Sequence, residues 1–185
     1  MTQSPGRVFD EYLVLRAQAG DRTAAERLAV RWRPRLLRTA RRLADKNAAE
    51  DIVQDTWLGL AKALPSLRDP SRFPAFAFRI LHRRCAEHIA TKSVQQGRSA
   101  EGADELENVA AAPVADRGRA FSRTAINAAF ASLSADQRTA ATLFFGEGLS
   151  LQEISAVTGA PIGTVKSRLF HARQKLKTML EGDLT

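Results

Sequence analysis

Apolar residues recur along this chain at helical intervals, and the intervals place its elements. From Arg22 to Leu43 they fall at Ala25, Leu28, Ala29, Trp32, Leu36, Ala40 and Leu43, one face of a helix. Asp21, after Gly20, is suited to cap its N-terminus. Pro34 lacks a backbone N–H and is expected to kink or split this helix. A second helix is predicted from about Ala48 to Leu64, with Asn47 as its cap and Pro65 just past its end. A third is predicted from about Phe73 to Thr91, with Ser71 upstream and Pro74 in the first turn, where proline is tolerated. Farther on, Ser134 with Gln137 and Ser150 with Glu153 both have the spacing of a capping box, which marks two helix starts. No useful length of chain alternates apolar and polar positions, and no segment repeats. The predicted fold class is all-α.

The last of these helices carries the most chemistry. A short helix from Leu151 to Val157 should end at Thr158-Gly159, where glycine takes the left-handed conformation that closes a helix. Pro161 restarts the chain, and Ile162, Val165, Leu169, Ala172, Leu176 and Met179 form one apolar stripe. The other face holds Thr164, Lys166, Ser167, Arg168, His171, Arg173, Lys175 and Lys177, with no acid among them. Two helices joined by a tight glycine turn, the second amphipathic and basic, describe a helix-turn-helix. A helical hairpin with a solvated basic face gives the same periodicity. The absence of any carboxylate on that face favours DNA, because such a helix can enter the major groove and neutralise phosphates.

The predicted helix over 48–64 has a different outer face. Its core stripe is Ile52, Val53, Thr56, Trp57, Leu60 and Leu64, and Asp51, Gln54, Asp55 and Leu58 share the opposite side. An acidic patch with one exposed leucine is either a solvated face or a dock for a basic helix of a protein partner. Gly59 costs a helix interior about 1 kcal/mol, which close packing would justify. On the predicted helix over 73–91, Arg79, His82, Arg83 and Arg84 interleave with Phe73, Phe76 and Phe78. That mixture suits unstacked single-stranded bases, although most of the phenylalanines belong in the core. The loop from Ser66 to Arg72 is placed to form a pocket at the helix start.

Charge divides the chain. It has 185 residues and a net charge of +8. Residues 1–92 hold 18 Lys+Arg against 10 Asp+Glu, residues 93–118 hold 2 against 5, and residues 119–185 hold 8 against 5. The middle stretch has no aromatic residue and few large aliphatics, so it is expected to be a flexible acidic linker between two basic domains, 1–92 and 119–185. The basic surface favours nucleic acid. One cysteine, Cys85, excludes a disulfide scaffold, and no apolar run approaches a membrane span. The start of the chain has no signal-peptide pattern, so a cytoplasmic protein without membrane insertion is expected. His82, Cys85 and His88 are three residues apart, but no fourth ligand accompanies them, so no metal or cofactor is expected. A metal-dependent nucleic-acid enzyme would rest on those residues and the nearby acids alone.

Taken together, the two halves resemble a known family. GDRTAAERLAVRWRPRLLRTARRL followed by AAEDIVQDTWLGL resembles regions 2.1 to 2.2 of the extracytoplasmic-function (group IV) sigma factors of bacterial RNA polymerase. EGLSLQEISAVTGAPIGTVKSRLFHAR resembles their region 4.2, and GTVKSRL is typical of it. The resemblance implies a promoter-specificity subunit without chemistry of its own. It implies that Asp51, Gln54, Asp55 and Leu58 dock on the clamp helices of the polymerase β′ subunit. It implies that Arg68, Asp69, Ser71 and Arg72, with Arg79, Arg83 and Glu87, melt and read the promoter −10 element. Thr164, Lys166, Ser167, Arg168, Phe170, His171 and Arg173 then read the −35 element. The linker threads through the core enzyme, the β flap is a further contact, and an anti-sigma factor is the expected regulator of a protein that is monomeric when free. The chain departs from the common pattern at Trp57, Arg83, Glu87, Phe144, Ser155 and His171, so promoter sequences do not transfer from relatives. A stand-alone helix-turn-helix regulator is the alternative; it leaves the Asp51/Gln54/Asp55 face without a purpose.

Overall fold

The structure, a computed structural model, describes residues 5–98 and 123–182. Among these residues there is no strand. The N-terminal half holds α1 (Pro5–Gln18), α2 (Arg22–Leu43), α3 (Ala49–Ala63) and α4 (Phe73–Arg98). The C-terminal half holds α5 (Arg123–Ala131), α6 (Ala135–Ala141), α7 (Leu151–Thr158) and α8 (Ile162–Gly182).

The N-terminal domain forms around α2. Leu28, Trp32, Leu36 and Ala40 are buried along one side of it, as the periodicity predicts. The Trp32 ring meets Phe73 edge-on at 4.9 Å, and Phe78 and Leu81 of α4 complete this centre. Asp21 caps α2 by accepting the Ala24 N–H at 3.1 Å. Pro34 does not split the helix, which runs unbroken from Arg22 to Leu43. The bond Pro34 cannot make would have gone to Val30, four residues back, and Val30 is 75% exposed, so the missing bond falls on the solvent side of the helix. Asn47 does not cap α3. Its own N–H donates to the Asp45 carboxylate, and Ala48 takes the cap position with no side-chain bond.

Helix α1 has no counterpart in the predicted elements. Its apolar residues lie on every side, with Leu13 and Val14 buried and Val8, Phe9, Tyr12 and Leu15 exposed, so no stripe announces it. Tertiary bonds hold it instead: Arg31 donates to the buried Asp10 carboxylate at 2.5 Å, and the Gln18 side-chain amide donates to the Leu64 and Leu67 carbonyls. Helix α4 continues past Thr91 to Arg98, so the first residues of the expected linker are helical. The remainder of that linker, 99–118, lies outside the described residues.

In the C-terminal domain both capping boxes are closed, and Gly159 ends α7 at φ +72°. Val165, Leu169 and Ala172 of the α8 stripe are buried, while its ends, Ile162 and Met179, are more than 40% exposed. After α6 the backbone widens into one π-helical turn, Thr142–Gly146. Gly148 follows at φ +69°, a left-handed turn open to glycine without strain. The two domains pack directly on each other. α4 lies against α7, α2 lies against α6 and the π turn, and one buried apolar cluster runs from Trp32 and Phe78 through to Leu143, Ile154 and Val165.

Candidate polymerase and promoter interface

Helix α3 presents Asp51, Gln54, Asp55 and Leu58 outward, all four exposed, as its spacing predicts. Their neighbour Glu50 shows what usually becomes of an acid on this surface: Arg33 holds it at 2.5 Å and Arg41 at 3.5 Å. Asp51 and Asp55 make no ion pair among the described residues. Two unneutralised carboxylates one turn apart beside a 57% exposed leucine offer both charge and apolar area to a basic partner.

The turn before α4 is built on Asp69. Its carboxylate accepts the Ser71 hydroxyl at 2.6 Å, the Ser71 N–H at 3.0 Å and the Arg72 guanidinium at 3.2 Å. The Ser71 hydroxyl is the chief cause that holds the Asp69 carboxyl below the usual carboxylate range. Asp69, Ser71 and Arg72 thus form one tied group, with Arg68 exposed beside them. Along α4, Arg79 lies over the half-buried Phe76 ring at 5.9 Å. Arg83 and Arg84 both reach Glu87 at 2.8 Å, and Arg83 first, then Arg84, lower its pKa. Phe73 and Phe78 are core residues rather than base platforms. Cys85 is buried, and burial pushes its thiol up to about 12.

On α8, Thr164, Lys166, Ser167, Phe170, His171 and Arg173 are exposed. Phe170 is 60% exposed and its ring stands edge-on to His171 at 5.5 Å. Arg168 and Lys175 of the basic face are engaged within the fold. Arg168 is half-buried in an ion pair with Asp136 of α6, and Lys175 donates to the Ser132 carbonyl. His82 of α4 comes together with Thr164 and Arg168 of α8, whereas the four exposed residues of α3 are not part of that grouping.

Sequence reasoning missed the groups between the domains. Glu147, delivered by the π turn and Gly148, is buried against α2. Its carboxylate accepts Arg35 and Arg38 at 2.9 Å each and the Thr39 hydroxyl at 3.1 Å. A cavity of about 300 Å³ between α4 and the helix-turn-helix is lined by His82, Asp136, Thr164 and Arg168. A lone acid in a turn carries no periodic signal, and its partners lie 108 to 112 residues upstream.

Comparison with known proteins bears on both domains. Residues 28–94 match the sigma-70 region 2 family, and residues 123–176 match the sigma-70 region 4 family. The chain is 30% identical over 181 residues to the RNA polymerase sigma-H factor of Pseudomonas aeruginosa, covering 93% of this chain and 94% of that one. It is 29% identical over 189 residues to the ECF RNA polymerase sigma-E factor of Escherichia coli, covering 95% and 96%. Among solved structures, the sigma factor RpoE of Bartonella quintana, in complex with the anti-sigma factor NepR, aligns with a TM-score of 0.68. It is 32% identical, over 80% of this chain and 91% of that one. CnrH, in complex with the cytosolic domain of CnrY, shares the fold at a TM-score of 0.65 and 24% identity, over 95% and 99%.

Proposed function

The chain belongs to the extracytoplasmic-function sigma factors of bacterial RNA polymerase, and from that premise we propose how its three exposed faces divide the work of initiation. The protein is a non-enzymatic initiation factor that gives the polymerase promoter specificity. A free-standing helix-turn-helix regulator is set aside, because both sigma regions match in order.

Asp51, Gln54, Asp55 and Leu58 dock on the β′ clamp helices. The observation that carries this is the pair of unneutralised carboxylates on an arginine-rich domain. The turn Arg68–Arg72 with Arg79, Arg83 and Glu87 opens and reads the −10 element; its tied Asp69 group and the Phe76–Arg79 pair support a site for an unstacked base. Thr164, Lys166, Ser167, Phe170, His171 and Arg173, with Arg168, read the −35 element from the major groove. Residues 1–92 and 119–185 act as the two reading domains, and the C-terminal one also meets the β flap. The similar Bartonella RpoE is bound by an anti-sigma factor, which supports a regulator of that kind here. No helix among the described residues is long and apolar enough to cross a membrane, which fits work on the polymerase in the cytoplasm.

The test is binding of purified protein to core RNA polymerase, followed by run-off transcription from a pool of genomic fragments. Tight binding and a small set of discrete transcripts are expected. Specific duplex binding with no affinity for core polymerase would overturn the docking assignment.

A further inference from the structure

Glu147 belongs to the C-terminal domain, yet among the described residues every hydrogen bond to its carboxylate comes from the N-terminal one. Its side chain is 1% exposed, so the charge depends on those donors. Arg35 is also supported from within its own domain. Its guanidinium lies over the Trp32 ring at 4.1 Å, held by a residue of its own helix. Beside it Arg42 lies over the Phe130 ring of α5 at 4.7 Å, and a β-carbon on Gly146 would stand 3.3 Å from its Nη1. Arg35, Arg38 and Arg42 follow at helical steps along one face of α2, and the C-terminal domain covers that face.

The packing brings the two reading helices together. His82 of α4 and Thr164 and Arg168 of α8 line the same 300 Å³ cavity. If α4 and α8 read the −10 and −35 elements, as the proposed function has it, their targets lie about 25 base pairs apart. At about 3.4 Å per pair, that is about 85 Å of duplex. Helices that share a cavity do not span that distance. The chain from Arg98 to Arg123 is long enough to let them separate by about 80 Å when drawn out.

We propose that Glu147 is an intramolecular latch: seated between Arg35 and Arg38, it holds the free protein closed, and it must leave them before one molecule engages both promoter elements. The closed state competes with holoenzyme assembly, so a weaker latch raises apparent affinity by the fraction of molecules it frees. This rests on the assignment of α4 and α8 to separate elements; the closure itself does not.

The test measures closure without DNA or polymerase. Spin labels are placed on Lys62→Cys of α3 and Gln174→Cys of α8, both exposed positions; Cys85, being buried, stays unlabelled. Pulsed dipolar distances on the full chain should show one short population. Glu147→Gln should add a broad long population, as should Arg35→Gln with Arg38→Gln. Exchanging the charges, Glu147→Arg with Arg35→Glu and Arg38→Glu, should restore the short one, which a misfolded domain would not do. Helical circular dichroism equal to the parent confirms that each domain is intact. Short distances unchanged in both neutral variants, or a parent that is already open, overturn the latch. With core polymerase the parent should shift to long distances, and Glu147→Gln should bind core more tightly, by about twofold or more. A parent that stays closed in an active holoenzyme overturns the separation of the two reading faces and leaves the closure measurement standing.

Discussion

A β-carbon added to Gly59 of α3 would stand 3.2 Å from Cγ2 of Ile80 on α4. This explains a glycine in a helix interior: it lets α3 and α4 approach, at a cost of about 1 kcal/mol in propensity. Gly59→Leu should therefore destabilise the N-terminal domain by about 1–3 kcal/mol through overpacking. Chemical denaturation of the full chain measures it. Unchanged stability would mean that α4 moves aside freely.

The unneutralised pair on α3 gives the second prediction. Asp51→Lys with Asp55→Lys changes only exposed side chains, so helical content and melting should hold within about 0.5 kcal/mol. Like charges facing each other across an interface cost several kcal/mol, so affinity for core polymerase should fall by about a hundredfold or more. Titration against labelled core enzyme reads both properties in one preparation. Undiminished affinity would move the dock to another face.

The two cations Lys166 and Arg168 of α8 should behave differently. Lys166 is exposed and makes no ion pair among the described residues, whereas Arg168 is held by Asp136. Lys166→Ala should weaken −35 binding and reduce the salt slope by about one, as expected for a lost phosphate contact. Arg168→Ala should cost less, because its guanidinium must first leave Asp136. Transcription from promoters with and without a −35 element separates these effects from core binding. Equal losses on both templates would argue against α8 as the reading helix.

These particulars also show where the sequence was informative. The caps at Asp21, Ser134, Ser150 and Gly159 were legible because each is a local rule: a side chain or a dihedral serves the backbone a few residues away. The α8 stripe was legible because one side packs and the other does not. Asn47 misled because Asn and Asp both suit turn and cap, and Asp45 took the turn by binding the Asn47 N–H. Pro34 does not split α2, because its missing bond falls opposite the exposed Val30, and which side of a helix meets solvent is a tertiary fact. Arg168 sits where the pattern put it, but its partner on α6 was not visible in its own helix. Glu147 and His82 were illegible for the same reason: their roles are set by the other domain.

His82 gives a prediction in pH. Burial in the interdomain cavity lowers its pKa; Asp136 raises it and Arg168 lowers it by smaller amounts. The folded protein thus holds His82 neutral at a pH where the unfolded chain, with an ordinary value near 6.5, already binds a proton. Across that window the unfolded state carries more protons, so stability rises with pH. The contribution is present above about pH 6.5 and is lost as pH falls toward the folded value. Thermal unfolding of the full chain between pH 5 and pH 8 should show this loss on the acid side. His82→Gln removes the titrating group and should flatten the profile there, while its melting temperature at pH 8 changes little. A parent and variant with parallel profiles would mean that the cavity admits the imidazolium freely, and that His82 does not contribute to the acid-side loss of stability.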